Sequence, residues 1–570
     1  ADFYTDARDQ IANPARTTSP VTLRSFQVQY MNIPGLDKPL QPLEVWYSAL
    51  YAMDQWQVSK NLKVGVGLRI ERSSFADTGY ANPLADAMTF MDENGQPVKY
   101  STGKLPEPTL QWNPRFGFNW DVTGDRVTQV RGSSGLYSGP PLYVWISNQV
   151  GNTGVLTGSI AATNTRAYPF NPDPNAYHPA NVTGAPAASY ALAVTDQDFK
   201  FPQVWRSNFA VDRKLPWNLV ATAEVIYNRD VNGMYYINAN QTKPNSAFTG
   251  ADSRVRWTTA SCNFTAPASA TNCANRINPN VSNNVVLKNQ NVGRAWHTSF
   301  AIEKQFKGGF LKAAYSYGET KNTVDPGSIA SGSWQQNQVP GNPNNPPLGF
   351  SQYSPGQRVF VAGSFSKEYK KFGRTTLGFF WQATQTNGSY TVSGDLNNDS
   401  GFSNDLIYIQ KGPGETTFVN QTVGGVLYTA AQQSAAWEAY IAQDAYLSKH
   451  RGEYAVRNAV FLPMLKNMDV SLTQDLFRDI GGKRNGLQIR LDVFNFGNLL
   501  NKNWGLGNRF VSNQPLILAS TAQGGPVSPT GAPQFVMRVL NNKLIDHTFD
   551  PTAGVNDVYR LQLQLKYLFN

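Results

Sequence analysis

At 570 residues the chain is long enough for several soluble domains or one large β-architecture, yet only 15% of its residues are charged, against ~25% in a soluble globular chain. Mean hydropathy is −0.39, and no apolar stretch reaches the ~18 residues of a membrane helix. That excludes a helical membrane protein but not a strand-built one, because strands alternating lipid-facing and lumen-facing side chains leave no hydropathy peak. Aromatics at 12%, with 26 Tyr and 13 Trp, suit a surface that meets a lipid–water interface. The net charge of +10 comes from Lys and Arg scattered singly, with no basic run to follow a phosphate backbone. A lumen lined with basic side chains accounts for it, and no nucleic acid is expected as a partner. The chain opens on Ala with no basic and apolar leader after it, which predicts a removed signal peptide or a start inside a longer protein.

Period-2 alternation, the mark of half-buried strands, recurs along the chain. In chain order it predicts the strand pairs 45–58 and 62–73, 114–123 and 127–138, 204–215 and 219–230, 296–306 and 309–320, 358–369 and 375–386, and 466–477 and 486–496. Tight turns inside the pairs alternate with long connections rich in Pro, Asn, Gly and Ser, such as 139–202, 231–292 and 321–356. Outer-membrane barrels have this asymmetry, with short periplasmic turns and long extracellular loops. In "LQIRLDV" Leu487, Ile489, Leu491 and Val493 share one face and Gln488, Arg490 and Asp492 the other, so the polar face must be wet. Trp46, Tyr47, Tyr51, Trp56, Trp112, Trp120 and Trp205 lie near strand ends, as expected of interfacial aromatics. The last segment, "YRLQLQLKYLFN", alternates Leu561, Leu563, Leu565, Tyr567 and Phe569 with Gln562, Gln564, Lys566 and Leu568. Its apolar stripe is expected to face lipid as the closing strand of a barrel. The whole chain, 1–570, therefore reads as all-β: a transmembrane antiparallel β-barrel with about 14–16 strands visible. One stretch, 429–454, is rich in Ala, Gln and Glu, with Ala436, Ala439, Tyr440 and Leu447 near helical spacing and Gly452 as a stop. It predicts a short helix inserted in an external loop.

Few residues carry a chemical signature. Cys262 and Cys273 lie in a Ser/Thr/Ala/Asn-rich stretch with no further metal ligands nearby. A loop-closing disulfide in an oxidising compartment fits them, with two free thiols as the alternative. "GDLNNDSGFSND" sets Asp395, Asn397 and Asp399 at i, i+2 and i+4, with Gly401 and Asp405 following. Alternate oxygen ligands in a Gly-containing loop can wrap Ca2+, although the spacing is not that of an EF-hand and Asn/Asp/Ser/Gly runs are also ordinary turn material. No other cofactor is expected. His178, His297, His450 and His547 belong to no catalytic or metal motif; His450 with Glu453 reads as a salt-bridged loop cap. No P-loop, GxSxG, CxxC or dinucleotide fingerprint is present, and enzyme activity is not expected.

The stretches "WYSALYAMDQWQVSKNLKVGVGLRIE", "WNPRFGFNWDVTGD", "VRGSSGLYSGPP" and "IRLDVFNFGNLLN" resemble TonB-dependent outer-membrane receptors. "NNPPLGFSQYSPGQRVFVAGSFSKEYKKFGRTTLGFFW", "SGDLNNDSGFSNDLIYI" and "YLSKHRGEYAVRN" place the likeness, over roughly 40–570, in the Oar-like, SusC-related branch. The resemblance implies a 22-stranded barrel in the outer membrane of a Gram-negative bacterium, with an N-terminal plug. It further implies TonB-powered uptake of a large nutrient: a siderophore, an oligosaccharide or a peptide. Plug, TonB box and the first strands are not recognisable here. The chain is expected to be the C-terminal part of a receptor, or one piece of a barrel completed by a second chain or accompanied by a surface lipoprotein, with a smaller barrel that closes on itself as the alternative. A passive porin and a secretion-associated barrel are the alternatives. Asn495 and Asn498 in "DVFNFGN" match the family's periplasmic turn, where Asn tolerates left-handed backbone. Lipid and lipopolysaccharide are the expected surroundings.

Overall fold

Each strand pair joined by a tight turn forms an antiparallel ladder in the computed structural model. The structure describes residue 12 and residues 17–569, apart from 20, 37–42, 79, 140–141, 174, 187–188, 258–274, 370–372, 402, 481–482 and 520–531. Thirteen long strands make up one sheet: β1 (Val45–Ser59), β2 (Leu62–Phe75), β3 (Leu110–Asp121), β4 (Thr128–Ser138), β5 (Gln203–Leu215), β6 (Leu219–Asp230) and β7 (Arg294–Phe306). They continue as β8 (Gly309–Asn322), β9 (Gly356–Tyr369), β10 (Gly373–Thr384), β11 (Leu465–Ile480), β12 (Lys483–Phe494) and β13 (Arg560–Leu568). They pair strictly in chain order, and the short strand Gly349–Phe350 adds a fourteenth beside β8. Among the described residues β1 and β13 are the two outer strands, and no ladder joins them.

The predicted strands stand, with boundary shifts that have a local cause. β3 begins at Leu110, four residues before the predicted start at Pro114. Proline has no N–H for a ladder, yet Pro114 sits inside the strand because the ladder to β4 starts only at Arg115, opposite Gly135. At the β3–β4 turn the Asp121 carboxylate accepts hydrogen bonds from the amides of Gly124 (3.1 Å) and Arg126 (3.1 Å). Those two residues have φ of +78° and +61°, the left-handed conformation that glycine adopts at little cost and the carboxylate helps to hold at Arg126.

Register sorts the side chains of every strand onto two faces. On one, Val493 lies opposite Val470, Val470 opposite Phe379 and Phe379 opposite Gly363. The same face carries Leu561, Leu563, Leu565 and Tyr567 of β13, paired with Val493, Leu491, Ile489 and Leu487. Leu563 and Leu565 are each 72% exposed and Phe300 is 55% exposed, an apolar surface that water would not tolerate and a bilayer covers. At the end of the sheet nearest the long connections this face bears Trp46, Trp112, Trp205, Trp296 and Trp381; nearest the tight turns it bears Trp56 and Trp120. These are the two aromatic girdles of a membrane barrel. Tyr47 and Tyr51 do not belong to them. Both have the opposite parity and point with Glu71 and Arg69 to the polar face, where the Tyr47 hydroxyl donates to Glu71 at 2.6 Å.

The polar face is held by pairs within and across strands. Glu71 accepts from Arg69 (2.8 Å) and Asn113 (3.2 Å), Asp212 from Arg131 (2.9 Å) and Thr222 (2.7 Å), and Asp475 from Arg374 (2.8 Å) and Gln488 (2.7 Å). Arg490 reaches Asp492 along its own strand at 2.7 Å.

The six long connections are L1 (76–109), L2 (139–202), L3 (231–293), L4 (323–355), L5 (385–464) and L6 (495–559). All leave the same end of the sheet, the extracellular end of an outer-membrane barrel. They fold into two hydrophobic cores. Phe90 of L1, Ile146 and Leu192 of L2, Ile237 and Val285 of L3 and Trp334 of L4 build one. Phe248 of L3, Tyr390, Leu396, Trp437 and Tyr440 of L5 and Leu516 and Met537 of L6 build the other. The expected helix in 429–454 spans Ala430–Gln443 and starts with a capping box between Thr429 and Gln432. It stops well before Gly452 because the Asp444 carboxylate turns the chain, accepting from the amides of Tyr446 (2.8 Å) and Leu447 (2.7 Å). Asn495 has φ of +51°, the left-handed backbone expected of it. It follows β12, however, and so opens L6 at the loop end of the sheet instead of closing a periplasmic turn.

Face assignment has a direct test. Ile489→Arg puts a charge into the lipid face near mid-strand and is expected to cost about 2–4 kcal/mol. Gln488→Arg, one residue away on the polar face, keeps a donor for Asp475 and is expected to stay within about 0.5 kcal/mol. Denaturant unfolding in lipid vesicles, followed by Trp fluorescence, separates the two.

Candidate functional site

Two places combine polar chemistry with shape. The first is on the polar face of β1–β4. Gly65 of β2 lies directly opposite Gly117 of β3, and Gly67 lies opposite Arg115. Without side chains at 65, 67 and 117 the wall recedes into a groove of about 580 Å3, bordered by Tyr51, Met53, Arg69, Arg115 and Tyr137. The Arg115 guanidinium sits 4.6 Å above the Tyr137 ring, a cation–π contact that fixes its direction. The sequence signal was the run "KVGVG", whose glycines have the parity of the polar face.

The second place is the turn 395–405 in L5. Asp395 accepts hydrogen bonds from the amides of Asp399 (3.0 Å) and Ser400 (3.0 Å), and Asn397 Oδ1 from the Asp399 amide (3.2 Å). Asp399 accepts from the Gly401 amide (2.5 Å) and from Asn404 Nδ2 (3.1 Å). Asn398, Ser400 and Ser403 have φ of +59°, +69° and +53°, so the turn is wound tightly around these oxygens. Asn397, Asp399, Asn404 and Asp405 are fully buried. Burial, with the Asp405 charge adding to it, pushes the Asp395 carboxyl up to about 7. Asp399 is raised well above the usual carboxylate range, by burial first and then by Asp395 and Asp405. Burial also raises Asp405, against the pull of Arg254.

Neighbouring loops clamp the turn. Arg254 of L3, itself buried, donates to Asp405 Oδ1 (3.1 Å), to Asp252 (2.9 Å) and to the Leu406 carbonyl (2.8 Å). The Leu396 amide holds the other Asp405 oxygen at 2.9 Å. Gln241 Nε2 donates to the Asp399 carbonyl (2.7 Å), the Trp257 amide to the Asn397 carbonyl (2.9 Å) and Asn397 Nδ2 to the Gly341 carbonyl in L4 (3.0 Å). Asp395, Asn397 and Asp399 are thus brought together as their spacing suggested, while Asp405 is turned aside to an arginine. Gln241, Asp252, Arg254 and Asn404 were not singled out in the sequence. Among the described residues, no three His, Cys, Asp or Glu side chains stand close enough to hold a metal by themselves. Cys262 and Cys273 lie outside the described residues. His450 Nδ1 lies 2.9 Å from Glu453 Oε2, the expected loop cap. Removing the cation from this network, in Arg254→Met, leaves Asp252 and Asp405 buried without a counter-charge. It is expected to cost the loop fold about 3–5 kcal/mol while the membrane sheet stays intact. Faster proteolysis within 385–464, with unchanged heat-modifiable migration of the barrel, is the expected result.

The model of one family, described as outer membrane beta barrel domain, matches residues 16–531. No curated protein gives a match. Among solved structures, the FrpB iron transporter from Neisseria meningitidis is 10% identical over 87% of this chain and 44% of its own, at a TM-score of 0.37. The outer membrane transporter YddB from Escherichia coli is 10% identical over 87% and 53%, at 0.35. The ferric enterobactin receptor PfeA from Pseudomonas aeruginosa is 11% identical over 96% and 60%, at 0.31. The chain spans about half the length of these structures, and likeness of this degree says nothing about cargo. The family match over most of the chain agrees with the two-faced sheet, its aromatic girdles and its one-sided loops. The chain belongs to the outer membrane beta barrel domain family, and it crosses the outer membrane of a Gram-negative bacterium many times.

Proposed function

We propose that this chain forms most of the barrel of a TonB-dependent transporter of the Oar-like branch, taking up a siderophore, an oligosaccharide or a peptide. The observation that carries the proposal is the polar, hydrogen-bonded wall of β1–β13 lying beneath loops folded into two packed lobes. Simple diffusion needs an open mouth; packed lobes over a polar wall suit capture followed by gated entry. The sequence stretches 344–381, 393–409 and 446–458 support the branch. In this reading β1 and β13 pair with further strands, because a free strand edge in lipid leaves backbone groups unpaired at several kcal/mol each. Those strands, with the plug and its TonB contact, belong to further sequence or to a second chain. No catalytic step is assigned.

The test is uptake of labelled siderophores, oligosaccharides and peptides by cells expressing the full-length protein, with and without TonB. Accumulation of one class that is abolished without TonB is the expected result. Uptake that survives loss of TonB, together with steady conductance of the purified protein in planar bilayers, would establish a porin instead.

A further inference from the structure

We infer that the 395–404 turn and Gln241 form a binding site for a divalent cation of the calcium type, which fastens L3 to L5. The oxygens available are the carboxylates of Asp395 and Asp399 and the amide oxygens of Asn397, Asn404 and Gln241. Two of them point to an ion independently of the acidic residues. Asn404 Oδ1 and Gln241 Oε1 are buried and have no hydrogen-bond partner. Both belong to amides whose nitrogens are fastened to Asp399, one on its carboxylate at 3.1 Å and one on its carbonyl at 2.7 Å. Two orphaned acceptors therefore belong to amides anchored on one buried acidic residue, Asp399. A buried acceptor is ordinarily met by a donor, and a cation meets several at once.

Charge points the same way. The guanidinium of Arg254 is taken up by Asp252 and Asp405. Among the described residues no cationic side chain forms an ion pair with Asp395 or Asp399. The ligand set also selects the ion. All five side chains offer oxygen, none nitrogen or sulfur, and three are neutral amides, so a hard cation fits and zinc does not. An irregular turn drawing ligands from two loops suits the flexible coordination of Ca2+ better than the strict octahedron of Mg2+. Asp405 stays outside the set, because its charge is already matched by the Arg254 guanidinium.

The consequence is mechanical. Gln241 comes from L3, the remaining ligands come from L5, and Asn397 also holds L4 through the Gly341 carbonyl. An ion here would tie the segment beside the first loop core to the heart of the second.

The experiment uses the full chain in detergent, stripped with EDTA and titrated with Ca2+ by calorimetry and with Tb3+ by luminescence sensitised from the neighbouring Trp257. One ion per chain is expected, with Kd in roughly the 10⁻⁴–10⁻³ M range of extracellular calcium modules. Asp399→Asn and the shape-conserving Gln241→Leu should each weaken it roughly 10–100-fold. Hydrogen exchange at 395–405 and around 241 should slow on adding Ca2+ in the wild type. No binding by the wild type up to about 10 mM Ca2+, well above that range, overturns the inference. So does binding that both variants leave unchanged, since the ion would then sit elsewhere.

Discussion

In hydrocarbon a backbone amide or carbonyl without a partner costs several kcal/mol, and the rest of this structure depends on meeting that demand. Thirteen strands do so by exchanging hydrogen bonds with their neighbours in chain order, and the ladder then dictates everything lateral to it. Once β2 is registered against β3, the parity of every residue along both strands is set. Val64, Val66 and Leu68 can only face lipid, and Lys63, Gly65 and Arg69 can only face the lumen. A single-residue slip would expose Arg69 and Glu71 to hydrocarbon, so the hydrophobic pattern guards the register as strongly as the turns do.

Ends of strands obey a different rule, because water returns there. The tight turns stay short and satisfy themselves locally, as Asp121 does for the amides of Gly124 and Arg126. At the other end the chain is free to grow, and six long connections have used that freedom to bury tryptophan, tyrosine and aliphatic side chains in cores of their own. Burial at about 25 cal/mol per Å2 gives such loops a fold to defend. Their polar residues then become costly unless paired, which is why Arg254 is wedged between Asp252 and Asp405, and why the unmatched oxygens of Asn404 and Gln241 stand out.

How much of this was legible in the sequence varied with the range of the interaction. Period-2 stripes reveal strands because alternation is local, and the terminal Leu561–Leu563–Leu565 stripe faces the lipid side as its spacing implied. Parity errors were harder to avoid. Tyr47 and Tyr51 look like girdle residues beside Trp46, but adjacent positions on a strand face opposite ways, and Glu71 draws Tyr47 inward. Asn495 showed its left-handed backbone in its residue type, yet which end of the sheet it occupies depends on counting all the turns before it. The helix in L5 was legible in its Ala- and Gln-rich composition and the spacing of Ala436, Ala439 and Tyr440, but its end was decided by the Asp444 side chain folding back on the chain ahead, well before Gly452.

The candidate site divides along the same line. The i, i+2, i+4 spacing of Asp395, Asn397 and Asp399 is short-range and determined by itself that their oxygens would converge in one turn. Asn404 is close in sequence, but its orientation comes from packing. Gln241 and Arg254 lie about 150 residues upstream, and nothing in their neighbours names L5 as their partner. The sequence by itself determined the strands, the two faces, the membrane and the placement of long loops at one end, because each is written in spacings of two to ten residues. Only the tertiary structure decided that those loops pack into lobes, that Asp405 belongs to an arginine, and that the distant Gln241 amide reaches the turn. Such contacts are chosen by burial and charge across the fold, and local alternation carries no record of them.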